Sequence, residues 1–187
     1  MAIPDKKEKY SYADYLKWDE GGRFELIDGE VFNMSPAPSR RHQRVLRELS
    51  TAFSIFLREE ECEVFFAPFD VRLLVENKQD DDINNVVQPD FQRSNLTDEG
   101  ERISMIKSGA PLHPLSSSFF RSPTIDFQLY EKAGVKEYWL VDPMNESIEM
   151  YLLINEQYKF QGVYTKVDTI TVNILDGLEI DLNQIFE

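Results

Sequence analysis

Two apolar runs meet at Asp28 and Gly29 in the stretch FELIDGEVFNM. A two-residue connection between paired strands is best made by a type I′ turn, which needs φ > 0 at both positions, and Asp followed by Gly meets that need at low steric cost. An N-terminal β-hairpin over residues 23–34 is therefore predicted. SPAPS then breaks the chain, and Ser39 is placed to cap a helix running from Arg40 to Glu60. Val45, Leu46, Leu49, Ala52, Phe53, Phe56 and Leu57 recur at intervals of three and four, which gives that helix one continuous apolar face. A half-buried ladder followed by such a helix is buried most simply by laying helix on sheet. The run Glu59-Glu60-Glu61 falls at the negative end of the helix dipole, so the helix is expected to fray there.

Local signals place further elements on either side. Tyr10 to Glu20 reads as a helix with Tyr12, Tyr15 and Leu16 on one face. CEVFF, FDVRLLVE and NNVVQPD read as strands, and NKQDDDINN as an acidic, solvated loop containing Asp80, Asp81 and Asp82. TDEGERISMIKSG is read as weakly helical, and APLHPLSSSFFRSP has no clear period. IDFQLYEKAG is a short helix with Gly134 as its stop, and VKEYWLVDP is an apolar strand closed by Asp142-Pro143. Strands over 146–154, 158–165 and 169–175 and a last turn at LNQIF complete the chain. Helices mixed with hairpins and one strand–helix–strand unit indicate an α+β (mixed α/β) fold with a mixed sheet, and 187 residues suit a single domain, 1–187.

Cys62 stands alone, so neither an intrachain disulfide nor a cysteine metal cluster is expected. No stretch approaches the roughly 20 apolar residues that span a bilayer, and MAIPDKKEKYSY lacks the apolar core of a signal peptide. A cytoplasmic location with no membrane partner is expected. The formal charge of −14 opposes non-specific attachment to nucleic acid, although divalent cations held by carboxylates offset such charge.

Few residues are placed for chemistry. Asp90 closes the run VVQPD, where a strand end aims a carboxylate at a cation or a turn merely solvates it. His42 lies near the start of the long helix beside Arg40 and Arg41, where phosphate binding competes with an ordinary surface role. Glu25 and Glu30 flank the hairpin turn and oppose each other only if the register permits. His113 sits between two prolines and offers less. A Gly-rich phosphate loop, HExxH and GxSxG are all missing, so kinase, zinc-protease and α/β-hydrolase readings have no support.

Together FELIDGEVFNMSPAPSRRHQ, VVQPD and LYEKAGVKEYWLVDP resemble the blocks of the putative restriction endonuclease domain family, a divergent branch of the PD-(D/E)XK nuclease superfamily. The resemblance implies a restriction-endonuclease-like mixed sheet flanked by helices, and hydrolysis of phosphodiester bonds in DNA by an endonuclease dependent on Mg²⁺ or Mn²⁺. It implies Asp90 as the first metal ligand, with Glu25 and His42 as further candidates for the catalytic site. Nucleases that cut both strands are often dimers, so it also implies a homodimer. The likeness breaks down where the family carries its second carboxylate and its lysine. LSSSFFRSP stands where the glutamate strand is expected, and Asp126 where the lysine is expected. Serine is a poor ligand for a hard cation and aspartate has the wrong charge for a lysine's role, so a non-catalytic module that retains the nuclease fold is the alternative reading.

Overall fold

The computed structural model describes residues 9–18, 24–33, 39–59, 62–73, 78–95, 102–108 and 123–187. In chain order the elements are α1 (Tyr12–Tyr15), β1 (Phe24–Ile27), β2 (Glu30–Asn33), α2 (Arg40–Phe56), β3 (Cys62–Phe66), β4 (Val71–Arg72), β5 (Val86–Val87), β6 (Phe91–Asn95), β7 (Arg102–Ser108), α3 (Pro123–Lys132), β8 (Glu137–Asp142), β9 (Ser147–Ile154), β10 (Gln157–Thr165), β11 (Thr169–Thr171), β12 (Glu179–Asp181) and α4 (Leu182–Phe186).

The hairpin forms as its turn chemistry dictates. Asp28 has φ of 48° and Gly29 φ of 80°, and β1 pairs antiparallel with β2 from Phe24↔Asn33 to Ile27↔Glu30. The turn is tied down on both sides. Gly29 N donates to Asn84 O at 2.9 Å, Asp28 N donates to Asn85 Oδ1 at 2.9 Å, and Tyr10 N donates to Gly29 O at 2.9 Å. β1 also pairs with β5, and β5 with β4, which gives a four-stranded sheet in the order β2-β1-β5-β4.

A six-stranded sheet runs β10-β9-β8-β7-β6-β3, and only its β7–β8 pair is parallel. α3 lies in the crossover between those two strands, as a parallel pair requires. Val141, Trp139, Ile148 and Met150 face one side of this sheet, where Val45, Leu49 and Phe53 of α2 and the C-terminal segment around α4 cover them. Phe53 meets Phe91 at 4.8 Å and Trp139 at 6.0 Å between ring centroids. Tyr138 faces the other side, packing with Leu129 and Tyr130 of α3, Tyr158, and Ile27 and Val87 of the smaller sheet. β8 is thus covered on both faces, which is why EYWLVD reads as a nearly unbroken apolar run.

Glu137 opens that central strand and is almost fully buried. Its Oε1 accepts from Trp139 Nε1 at 2.8 Å and its Oε2 from Ile174 N at 3.1 Å, so one carboxylate ties the 172–175 turn to the middle of the sheet. Burial pushes its pKa above the ordinary carboxylate value, and the bonds from Trp139 and Ile174 oppose that shift.

Several expectations are corrected. RISMIKS, read as weakly helical, is strand β7, because pairing with β6 on one side and β8 on the other overrides the weak local preference of its Glu-rich lead. The first helix is a single turn, closed by a Ser11–Asp14 capping box. FDVRLLVE yields only the two residues of β4 among those described. The strand expected over 169–175 stops at Thr171, where a turn carries the chain back through β12, an element that was not anticipated. The long helix stops at Phe56, short of the expected Glu60, and tightens to a 3₁₀ turn over Leu57–Glu59, while Glu60 and Glu61, where fraying is expected, lie outside the described residues. His113 and LSSSFFRS, residues 115–122, lie outside the described residues.

Candidate active site at the junction of β5 and β6

β5 belongs to the smaller sheet and β6 to the larger, so Gln88-Pro89-Asp90 is where the chain passes from one to the other. Proline suits this passage because no ladder bond is asked of its nitrogen. Asp90 O accepts from Ala67 N at 3.1 Å, which fixes the backbone just before β6 begins.

His42 reaches Asp90 from α2. Ser39 caps that helix by accepting from His42 N at 3.2 Å, which sets His42 in the first turn, facing the sheet junction. His42 Nε2 lies 3.3 Å from Asp90 Oδ1, and both side chains are only partly exposed. They sit at the rim of a small pocket whose floor is Val45, Leu46, Leu49, Val141 and Pro143. An apolar floor keeps water from one side of the pair, and that strengthens its electrostatic contact. Arg41 turns elsewhere, to an ion pair with Glu146, whose carboxyl is held below its usual pKa first by Lys166 at 3.0 Å and then by Arg41. Among the described contacts, His42 and Arg41 therefore serve different partners.

Glu25 approaches from the smaller sheet. It is buried on β1, and its Oε1 accepts from Gln88 N at 2.9 Å, two residues before Asp90. Glu25 pairs across the hairpin with Phe32 and Glu30 with Ile27, so the two glutamates do not oppose each other. The Gln88 side chain donates from Nε2 to Asp70 Oδ1 at 2.7 Å, and Tyr15 OH donates to the same oxygen at 3.0 Å. Burial, followed by the charge of Asp70, raises the Tyr15 pKa. Gln88 Oε1 is buried without a hydrogen-bond partner among the described residues.

The three sequence candidates are thus brought to one segment but not to one point. His42 and Asp90 touch, whereas Glu25 holds the backbone that leads to Asp90. Asp70 and Glu137 were missed by sequence reasoning. Asp70 follows Pro68-Phe69 in an irregular stretch, and Glu137 opens an apolar strand; neither has a local signal. Both Glu137 oxygens are occupied by N–H donors, which makes it a structural group. Among the described residues no three His, Cys, Asp or Glu side chains converge as a metal-binding group. Mg²⁺ commonly takes only one or two carboxylates and fills its remaining positions with water and phosphate, so Asp90 fits as a single ligand without completing the set.

The sequence profile of the family Uma2, described as "Putative restriction endonuclease", matches residues 12–105 and 116–183. A solved structure described as a putative nuclease belonging to DUF820, from Anabaena variabilis ATCC 29413, aligns with a TM-score of 0.69 at 16% identity. The alignment covers 94% of this chain and 97% of that one, and at this identity the likeness is one of fold. No curated protein matches the chain. Among the described residues no helix is long and apolar enough to cross a membrane. The chain belongs to the Uma2 family.

Proposed function

We propose that this member of the Uma2 family is a DNA endonuclease dependent on Mg²⁺ or Mn²⁺, in which Asp90 is the metal ligand contributed by the sheet junction. The observation that supports the reading is the His42–Asp90 contact of 3.3 Å at the rim of an apolar pocket. A bound cation would supply Lewis-acid stabilisation of the charge that develops on a scissile phosphate. His42 orients the Asp90 carboxylate through Oδ1, and that carboxylate is the group offered to a cation. Glu25 fixes the approach of the motif by accepting from Gln88 N, and so acts as a positioning residue. In this reading residues 1–187 are one nuclease-like domain, acting in the cytoplasm as a homodimer.

The test is cleavage of supercoiled plasmid with Mg²⁺ or Mn²⁺ by the chain and by Asp90→Ala. The expected result is cleavage by the former and none by the latter; equal activity of the two would remove Asp90 from the mechanism. A second reading, a non-catalytic module that keeps the nuclease fold, is favoured by one observation: no three metal-ligating side chains converge among the described residues. Calorimetry with Mn²⁺ separates the two. The endonuclease shows saturable uptake that Asp90→Ala abolishes, and the module shows none.

A further inference from the structure

Residues 39–59, spanning α2 and its cap and last turn, carry five arginines (Arg40, Arg41, Arg44, Arg47 and Arg58) against two glutamates (Glu48 and Glu59), in a chain whose formal charge is −14. Two of these arginines, Arg47 and Arg58, line one groove, and Glu59, Glu60 and Glu61 follow Arg58 in the sequence. The outward face of α2, the 3₁₀ turn after it and Phe66 of the edge strand β3 border an open groove of about 530 Å³, lined by residues including Gln43, Leu46, Arg47, Ser54 and Arg58. Gln43, Arg47, Ser54 and Arg58 are spaced by four, seven and four residues, which on a helix is one stripe. Leu46 also lines the pocket beside His42 and Asp90, so the groove and the candidate active site adjoin at that side chain. Phe66 and Ile55 are exposed at its wall.

We propose that this groove seats the phosphate backbone of duplex DNA and leads it to Asp90. The inference deepens the endonuclease reading and rests on it for the choice of partner. Arg47 and Arg58 are separated by eleven residues, or about 17 Å at helical rise, which is the distance that roughly five base-pair steps advance along a duplex axis at 3.4 Å each. Arg47 pairs with Glu48 on its own helix, and an exposed pair of that kind is weak enough for a phosphate to displace. The guanidinium fork suits phosphate oxygens, and the apolar wall lies against the sugars. A peptide partner would have to be strongly acidic to match the same arginines, whereas every duplex presents this charge at fixed spacing.

The experiment is fluorescence anisotropy of a labelled 20-base-pair DNA duplex with Ca²⁺ in place of Mg²⁺, over a salt series. Arg47→Ala/Arg58→Ala and Arg47→Glu/Arg58→Glu are compared with the unaltered chain and with Lys159→Ala, an exposed substitution on β10 at the opposite edge of the sheet. Loss of two phosphate contacts should make the slope of log affinity against log salt shallower by about two and weaken binding on the order of tenfold per arginine near 50 mM salt. The charge-reversed pair should bind weakest, and Lys159→Ala as the unaltered chain does. Unchanged binding by both arginine pairs would overturn the groove, as would an equal loss in Lys159→Ala. Thermal melts show whether each variant is folded, and the alanine pair carries the test if the glutamate pair is not. Tighter binding of an RNA duplex of the same length would overturn DNA as the occupant. Arginine-dependent DNA binding without plasmid cleavage removes the endonuclease reading and leaves the groove, whereas cleavage with unaltered binding by the variants removes the groove alone.

Discussion

Replacing Glu137 by alanine takes away the acceptor of Trp139 Nε1 on the same strand and that of Ile174 N, the bond that joins the 172–175 turn to the central strand. Trp139 Nε1 and Ile174 N, bonded to Glu137 at 2.8 and 3.1 Å, would be left in a site where Glu137 itself is only 1% exposed. A buried donor left unpaired costs about 1–3 kcal/mol, so two cost about 2–6 kcal/mol. Part of this is returned, because the variant no longer buries a carboxylate whose pKa is raised by desolvation. A net loss of about 2–4 kcal/mol is expected, or roughly 5–15 °C in Tm for a chain of this size. The pH dependence has a definite sign. A carboxyl whose pKa is raised on folding contributes stability that is complete below the unfolded value of about 4.3 and is lost as pH rises through the folded value. The advantage of the unaltered chain over Glu137→Gln, which keeps an acceptor for Trp139 but not a charge, should therefore be largest at acid pH and narrow on the way to neutrality. Urea unfolding monitored by Trp fluorescence across that range measures both effects. An alanine variant with an unchanged midpoint, or a gap to glutamine that widens as pH rises, would refute the anchoring role.

Three other changes probe the junction and its supports. His42→Ala should leave the melting temperature within a few degrees and weaken Mn²⁺ uptake by about tenfold in calorimetry, since an orienting partner of a metal-binding carboxylate contributes about that much or more. Gly29→Ala meets a left-handed φ of 80° and places a Cβ 3.0 Å from that of Lys9, so a loss of about 1–2 kcal/mol in urea unfolding is expected, with the hairpin the first element to lose amide protection. Phe53→Ala removes the ring between Phe91 and Trp139 and should cost about 3–5 kcal/mol by the same measurement.

Much of the fold was legible because local chemistry and tertiary contacts agree. The Asp28-Gly29 turn, the Ser39 cap and the α2 stripe are each set by residues near in sequence, through φ preference, a local cap bond and a helical period. β7 was illegible for the opposite reason: Arg102–Ser108 has little strand character alone, and its state is decided by strands on both sides that are distant in sequence. β12 is a three-residue strand that exists only because β11 folds back on it. The candidate site divides in the same way. A proline and an aspartate at the end of an apolar run can be read from the sequence, but not that the run belongs to one sheet and the next residue to another. The meeting of His42 with Asp90 depends on how α2 lies across the larger sheet, which no spacing encodes. Asp70 and Glu137 owe their roles to partners 18 and 37 residues away, Gln88 and Ile174, and leave no periodic trace.

Among the described residues β10 is the end strand of the larger sheet, and its outer edge bears on how copies of this chain could meet. Its ladder with β9 runs from Gln157 to Phe160, shifts register, and resumes from Gly162 to Thr165, with Gly162 at φ of 156°. A bulge of this kind bends and twists a strand, so the outward row of N–H and C=O groups is broken into two stretches of four residues that do not share a line. Another strand laid against Gln157–Phe160 would lose its register at Gln161, and growth of the sheet into a neighbour would stop there. Phe160, exposed beside the kink, is thereby kept from serving as the start of a fibre.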